Sequence, residues 1–175
     1  PGMRYGFRVR GPRRSVAELN LQSKLLLDPY AKAIAGSIQW DDAVDAEHAI
    51  DTDSAPYVPR SVVINPWFDW GQDRSPQRPW HETVLYEAHV KGLTQLHPGV
   101  AEQHRGSYLG VCSPAIIEHL HNLGVTAIEL MPVHQFVHDR RLVQMGLRNY
   151  WGYNSIGFFA PHNEYAVGGQ AGEQV

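Results

Sequence analysis

Residues 113–133 read SPAIIEHLHNLGVTAIELMPV, and this stretch decides the fold. Ser113-Pro114 is a helix start, with serine at the N-cap and proline at the first helical position. Ile116, Ile117, Leu120 and Leu123 fall at i, i+1, i+4 and i+7, an apolar stripe on one helical face, and Gly124 supplies the stop. Val125 to Val133 follows at once and is almost wholly apolar, which is how a strand buried on both faces reads. Upstream, Thr83 to Val90 (TVLYEAHV) mixes β-branched and aromatic residues in a strand pattern. Residues 91–111 read as a loop punctuated by glycine and proline, with room for one helical turn. Strand, loop, helix and strand without hairpin spacing make a βαβ unit, hence parallel strands joined by a right-handed crossover. The class is α/β, and one such unit needs further strands beside it to close a core.

Outward from that unit, Asn149 to Ala166 (NYWGYNSIGFFAPHNEYA) gathers Tyr150, Trp151, Tyr153, Phe158, Phe159 and Tyr165 between Gly152, Gly157 and Pro161. Neither a 3.6- nor a 2-residue period runs through it. Such a cluster serves either as a core satellite under a long loop or as a platform for a flat, partly apolar ligand, sugar rings first. It closes a connection of about thirty residues after the second strand, carrying His138, Arg140 and Arg141 and no long element; connections of that kind are usually binding loops or lids. Parallel α/β proteins place their sites at the carboxyl ends of the strands, where this connection begins.

The amino-terminal part has a different grammar. PGMRYGFRVRG alternates around Tyr5, Phe7 and Val9, a strand ending at Gly11-Pro12. Leu25 to Ile34 reads as a short strand, an Asp28-Pro29 turn and at most one helical turn. Asp41 to Pro59 reads as loop, and Val62 to Ile64 as a brief strand. The irregular, proline-bounded run that carries Trp67, Trp70 and Trp80 marks a boundary, so residues 1–69 and 70–175 are expected to be separate units.

With 175 residues, 43% hydrophobic and 19% charged, the chain has soluble globular composition, enough for one domain or one and a half. A net charge of −3 offers no nucleic-acid surface or patch for an anionic membrane. No apolar run reaches the roughly 18 residues of a membrane span. The single cysteine, Cys112, excludes an internal disulfide framework and reads as a buried inert thiol, which makes a cytoplasmic setting the expectation. GxGxxG and Walker A patterns are absent, and Gly168 to Gly172 reads as a flexible tail.

No cofactor or metal is expected. His119 and His121 are two apart on a helix and do not share a face. His134 and His138 sit in a loop with no cysteine nearby, a poor zinc set. Glu87 and Glu129 lie inside predicted buried strands, where an acid must be paired, hydrogen-bonded or protonated. Two carboxylates so placed suit glycosidase chemistry, and equally a structural bond to Arg, His or backbone.

The runs WHETVLYEAHVKGLTQLHPGV, RGSYLG, SPAIIEHLHNLGVTAIELMPVHQF and LRNYWGYNSIGFFAPHNEYA closely resemble the debranching-enzyme branch of the alpha-amylase superfamily, isoamylase type. YGFRVRGP and KLLLDPYAKAI resemble the end of the carbohydrate-binding β-sandwich that precedes the barrel in that family. The resemblance implies a partial (β/α)8 TIM barrel, with first strand 83–90, first helix 113–123 and second strand 125–133, preceded by the last strands of the sandwich. It implies hydrolysis of α-1,6 branch linkages in an α-glucan such as glycogen or maltooligosaccharides. It also implies that Tyr153 stacks on the sugar beside the scissile bond, with Trp151 and Asn154 as neighbouring substrate-binding residues. Trp151 stands where many amylases carry a histidine. The family's Asp nucleophile, Glu acid and further Asp follow later strands and match no residue of this chain. Glu87 and Glu129 are therefore not catalytic, and the segment alone is expected to be inactive. A branching or trehalose-forming enzyme shares these early motifs. A non-catalytic carbohydrate-binding or structural segment is the reading from another class, and a complete small α/β domain would need both sheet faces covered.

Overall fold

The computed structural model describes residues 1–10, 22–45 and 51–168. The expected strand end at Gly11-Pro12 and the glycine-rich tail beyond Gly168 lie outside them. The amino-terminal part forms a three-stranded antiparallel sheet of β1 (Arg4–Tyr5), β2 (Ile34–Ala35) and β3 (Arg60–Val62), in the order β1-β3-β2. Two of its strands depart from expectation. Leu25 to Leu27 contributes only one bridge, Leu26 to Phe7, because Asp28 turns the chain through its Oδ1, which accepts the Tyr30 N–H. The brief strand expected at 62–64 lies two residues earlier, paired on both sides.

β4 (Leu85–Ala88) and β5 (Ala127–Leu130) pair in parallel, Leu85 opposite Ala127 and Glu87 opposite Glu129. The parallel arrangement required by the strand–helix–strand reading is therefore present. Between them the expected loop at 91–111 contains two short helices, α1 (Val90–Thr94) and α2 (Tyr108–Val111). Each has a side chain at its N-cap: His89 Nδ1 accepts the Gly92 N–H and Ser107 Oγ accepts the Gly110 N–H. Glycine spacing hid the turns, but the caps satisfy otherwise orphaned N–H groups. α3 (Pro114–Asn122) starts after Ser113 as expected, although the Ser113 hydroxyl is buried without a partner. It ends in paired bonds, Gly124 N–H to His121 and Val125 N–H to Leu120.

β4 and β5 are not buried on both faces. Leu85 and Ile128 are exposed, as are Glu87 and Glu129, because no described element covers these sides. The α3 stripe behaves alike: Ile116 is fully buried while Ile117 and Leu123 face solvent. Cys112 is also exposed, not buried, since it ends α2 at the surface.

The connection after β5 holds regular structure that the sequence concealed: β6 (His134–Phe136), α4 (Arg140–Gln144) and β7 (Ser155–Pro161). β6 and β7 pair antiparallel with shifts in register, His134 opposite Pro161 but Gln135 opposite Gly157. Those irregularities break the alternation that would announce a strand. Gly157 allows a close approach here: a Cβ would stand 2.6 Å from the terminal methyl of Ile34, which would have to shift. Ile34, Ala31 and Ala160 form a shared cluster at this crossing. Trp40 Nε1–H donates to the His138 carbonyl at 2.7 Å, and Arg140 pairs with Asp42, so the amino-terminal sheet rests on the β6–β7 pair. The main core joins Val90, Tyr108, Phe136 and Tyr165.

Burial decides what each stripe residue contributes. Ile116→Ala should cost about 2–5 kcal/mol and Ile117→Ala no more than about 0.5 kcal/mol, read from urea denaturation midpoints.

Candidate functional site

The aromatic loop is organised by His89, the residue that follows β4. Its Nδ1 accepts from Gly92, so the proton sits on Nε2, which donates to the Tyr150 carbonyl at 2.7 Å. The Tyr165 hydroxyl lies 3.2 Å from the same nitrogen. Tyr150 stacks on the imidazole, with ring centres 4.2 Å apart and planes within 5° of parallel. Trp151 meets both rings edge-on. Because His89 directly succeeds Ala88, the loop lies at the carboxyl end of the parallel pair.

Gly152 turns the loop. Its φ is +80°, and a Cβ would come within 2.9 Å of the Phe136 ring. Asn149 Oδ1 accepts the Gly152 N–H at 3.0 Å, closing the turn. On the far side Asn154 is held twice. Its carbonyl accepts from Val137 N–H at 3.0 Å, and its Nδ2 donates to Asp139 at 2.9 Å. Tyr153 stands between these tethers, 70% exposed and free of ring or hydrogen-bond partners among the described residues.

A further tether enters from the 3₁₀ turn Asn163–Tyr165. Glu164 accepts from His138 Nε2–H at 3.0 Å and from Arg148 at 2.6 Å. Burial pushes this carboxyl up, but the hydrogen bond from His138 and the charge of Arg148 outweigh it and hold it low. His138 Nδ1 accepts the Asn149 N–H at 3.1 Å. Behind this tether an open cleft of about 620 Å³ separates His138, Arg148 and Glu164 from Gly36, Ser37 and Pro59. His162 is buried beside it, stacked on Phe136 at 3.5 Å, with neither ring nitrogen hydrogen-bonded. Burial pushes Tyr165 up to about 12, so it serves as a neutral hydroxyl.

Three residues were expected to touch ligand. The structure leaves Tyr153 presented and Trp151 half-exposed, packed on His89 and Tyr150. It commits the Asn154 amide to Asp139. Sequence reasoning missed His89, Glu164 and Gly92, the last approached so closely by Tyr150 Oη that a Cβ there would stand 2.7 Å away. The only sequence-level signal for His89 was its place near the carboxyl end of the expected strand 83–90, which the structure shortens to end at Ala88. The described residues contain no cluster of three potential metal ligands. His119 and His121 are exposed on α3. No described helix is long and apolar enough to cross a membrane.

His162 is held down at about 4 by burial, partly opposed by Glu164, whereas in the unfolded chain it protonates near 6.5. The unfolded state therefore takes up a proton that the folded site refuses, and stability should fall as pH drops from about 6.5 to about 4. His162→Phe keeps the stack on Phe136 and should flatten that part of the pH profile of the urea midpoint.

No family model matches the chain. It is 55% identical over 185 residues to the glycogen operon protein GlgX homolog of Mycobacterium tuberculosis, covering 100% of this chain and 26% of that protein. It is 47% identical over 174 residues to the glycogen debranching enzyme of Pectobacterium carotovorum, covering 98% of this chain and again 26% of the relative. The chain thus spans about a quarter of the length of the curated relatives it matches. Among solved structures, the catalytic module of the glycogen-degrading pneumococcal virulence factor SpuA superposes with a TM-score of 0.60 at 25% identity, over 82% of this chain and 21% of that one. Other neighbours of the same fold are pullulanases. The chain has a partial amylase-type fold and is, over essentially all of its own length, a homologue of the bacterial glycogen debranching enzymes.

Proposed function

We propose that this chain supplies one wall of the substrate site of a debranching glycoside hydrolase, acting on α-1,6 branch linkages of an α-glucan. The observation that carries this reading is Tyr153, an exposed ring flanked on both sides by backbone held in place. A sugar presents a flat, weakly polar face, and a ring already fixed in direction binds it with little further ordering. Trp151 is the side wall. Asn154 acts by holding Asp139 and the loop exit, with any sugar contact falling to its remaining carbonyl oxygen.

In the same reading, residues 1–69 are the carboxyl-terminal part of a carbohydrate-binding β-sandwich with its linker. Residues 70–175 begin a (β/α)8 barrel in which β4 and β5 are the first two strands. The uncovered apolar sides of β4, β5 and α3 support this, since further barrel strands and helices would bury them. They do not fit a small α/β domain closed on itself. In the whole enzyme an acid protonates the glycosidic oxygen while a carboxylate attacks the anomeric carbon. Neither group is among the matched residues here, so Tyr153 orients the sugar and transfers no proton.

Titration of the purified chain with maltohexaose should give a saturable change in tryptophan fluorescence. Tyr153→Ala should weaken it by about two- to tenfold, in line with losing an aromatic contact worth about 0.5–1.5 kcal/mol. The chain alone should release no reducing ends from glycogen. The absence of a saturable change would remove the platform reading; hydrolysis by the chain alone would remove the assignment of catalysis to residues outside it.

A further inference from the structure

We propose that Glu164 is the positioning residue that sets the pose of Tyr153, a role that rests on reading Tyr153 as the sugar platform. Glu164 projects from a firm support. Its neighbour Tyr165 is buried in the main core, and Asn163 is fastened twice, its N–H to Gln135 Oε1 and its side-chain amide to the Ile34 carbonyl. The two carboxylate oxygens take separate donors, Oε1 from His138 Nε2 and Oε2 from Arg148 Nη1. Those donors belong to the entrance of the aromatic loop.

The hydrogen bonds then run on without a break. With its proton held on Nε2 by Glu164, His138 presents Nδ1 as the acceptor for the Asn149 N–H. Asn149 in turn accepts from Gly152 through Oδ1. The line Glu164–His138–Asn149–Gly152 therefore ends one residue before Tyr153. His89 fixes the middle of the loop at Tyr150, and Asn154 fixes its exit. At the entrance the Glu164 line works beside the Leu147 N–H bond to the Leu142 carbonyl at 2.8 Å and a long bond from Asn149 Nδ2 to the Val137 carbonyl at 3.5 Å. Of these it is the one that runs on to Gly152.

A glutamine at 164 has the same shape but one acceptor oxygen, so its NH2 would face a donor and one branch of the clamp would open. In the Arg148–Glu164 pair the arginine is exposed and the carboxylate about half-exposed, and surface pairs of this kind add little to global stability. The effect belongs to the ligand and not to the fold, which separates positioning from simple structural support.

The test is the maltohexaose affinity of the chain, read by tryptophan fluorescence, alongside the thermal midpoint of each variant. Glu164→Gln should weaken binding at least about fivefold, with the midpoint shifted by no more than about 2 °C. Arg148→Gln should also weaken it, and the double variant should be no weaker than Glu164→Gln alone, because both act through one carboxylate. Arg148→Lys, which keeps the cation, should restore affinity relative to Arg148→Gln. Unchanged affinity in Glu164→Gln, while Tyr153→Ala loses binding, overturns the proposal and leaves the platform standing. Fully additive losses in the double variant also overturn it. If the wild-type chain shows no saturable binding, the platform fails and the role of Glu164 falls with it.

Discussion

The neutral imidazole of His89 is the contact on which the arrangement depends. One nitrogen caps the helix that follows β4, and that bond leaves the other nitrogen as the only N–H of the ring. It meets the Tyr150 carbonyl 61 residues on in sequence, so the start of the crossover and the aromatic loop are fastened by one side chain. A buried ring that donates once and accepts once also meets the demand that buried polar groups be satisfied. The stacked Tyr150 and the Tyr165 hydroxyl close it off from water.

Around that contact three histidines divide the labour by environment. His89 and His138 each use both nitrogens, which fixes their tautomers and through them the backbone of the loop. His162 uses neither and serves as a flat apolar plate under Phe136. The residue type is the same in each case. Whether it acts as a clamp or as packing depends on which donors and acceptors the fold brings within reach.

The parallel pair and the aromatic loop show opposite sides of this segment. β4 and β5 have their bonding register complete but leave apolar side chains and the facing Glu87 and Glu129 uncovered. The loop is held by its own contacts; Tyr150, Trp151, Tyr153, Phe158 and Phe159 are all exposed, but of these only Tyr153 lacks a ring partner among the described residues. An uncovered sheet with a finished loop at its carboxyl end is what the proposed barrel reading asks of these two strands.

Much of this was legible in order along the chain. Local rules located α3 through Ser113-Pro114 and Gly124, and the absence of a hairpin made the flanking strands parallel. Motif resemblance carried the debranching relation and singled out Tyr153. What local rules missed has a common cause. β6 and β7 are irregularly paired, so their period is broken, and α1 and α2 are nucleated by side-chain caps within glycine-bearing segments. Glu87 and Glu129 read as buried because their neighbours are apolar, yet burial depends on what packs above them. The sequence alone determined the parallel α/β unit, because it is written in neighbouring residues, whereas resemblance pointed to Tyr153 as the proposed platform. Only the tertiary structure decided which aromatic is free of ring partners and which histidines and carboxylate bond to the loop, because those bonds join residues 11 to 76 positions apart.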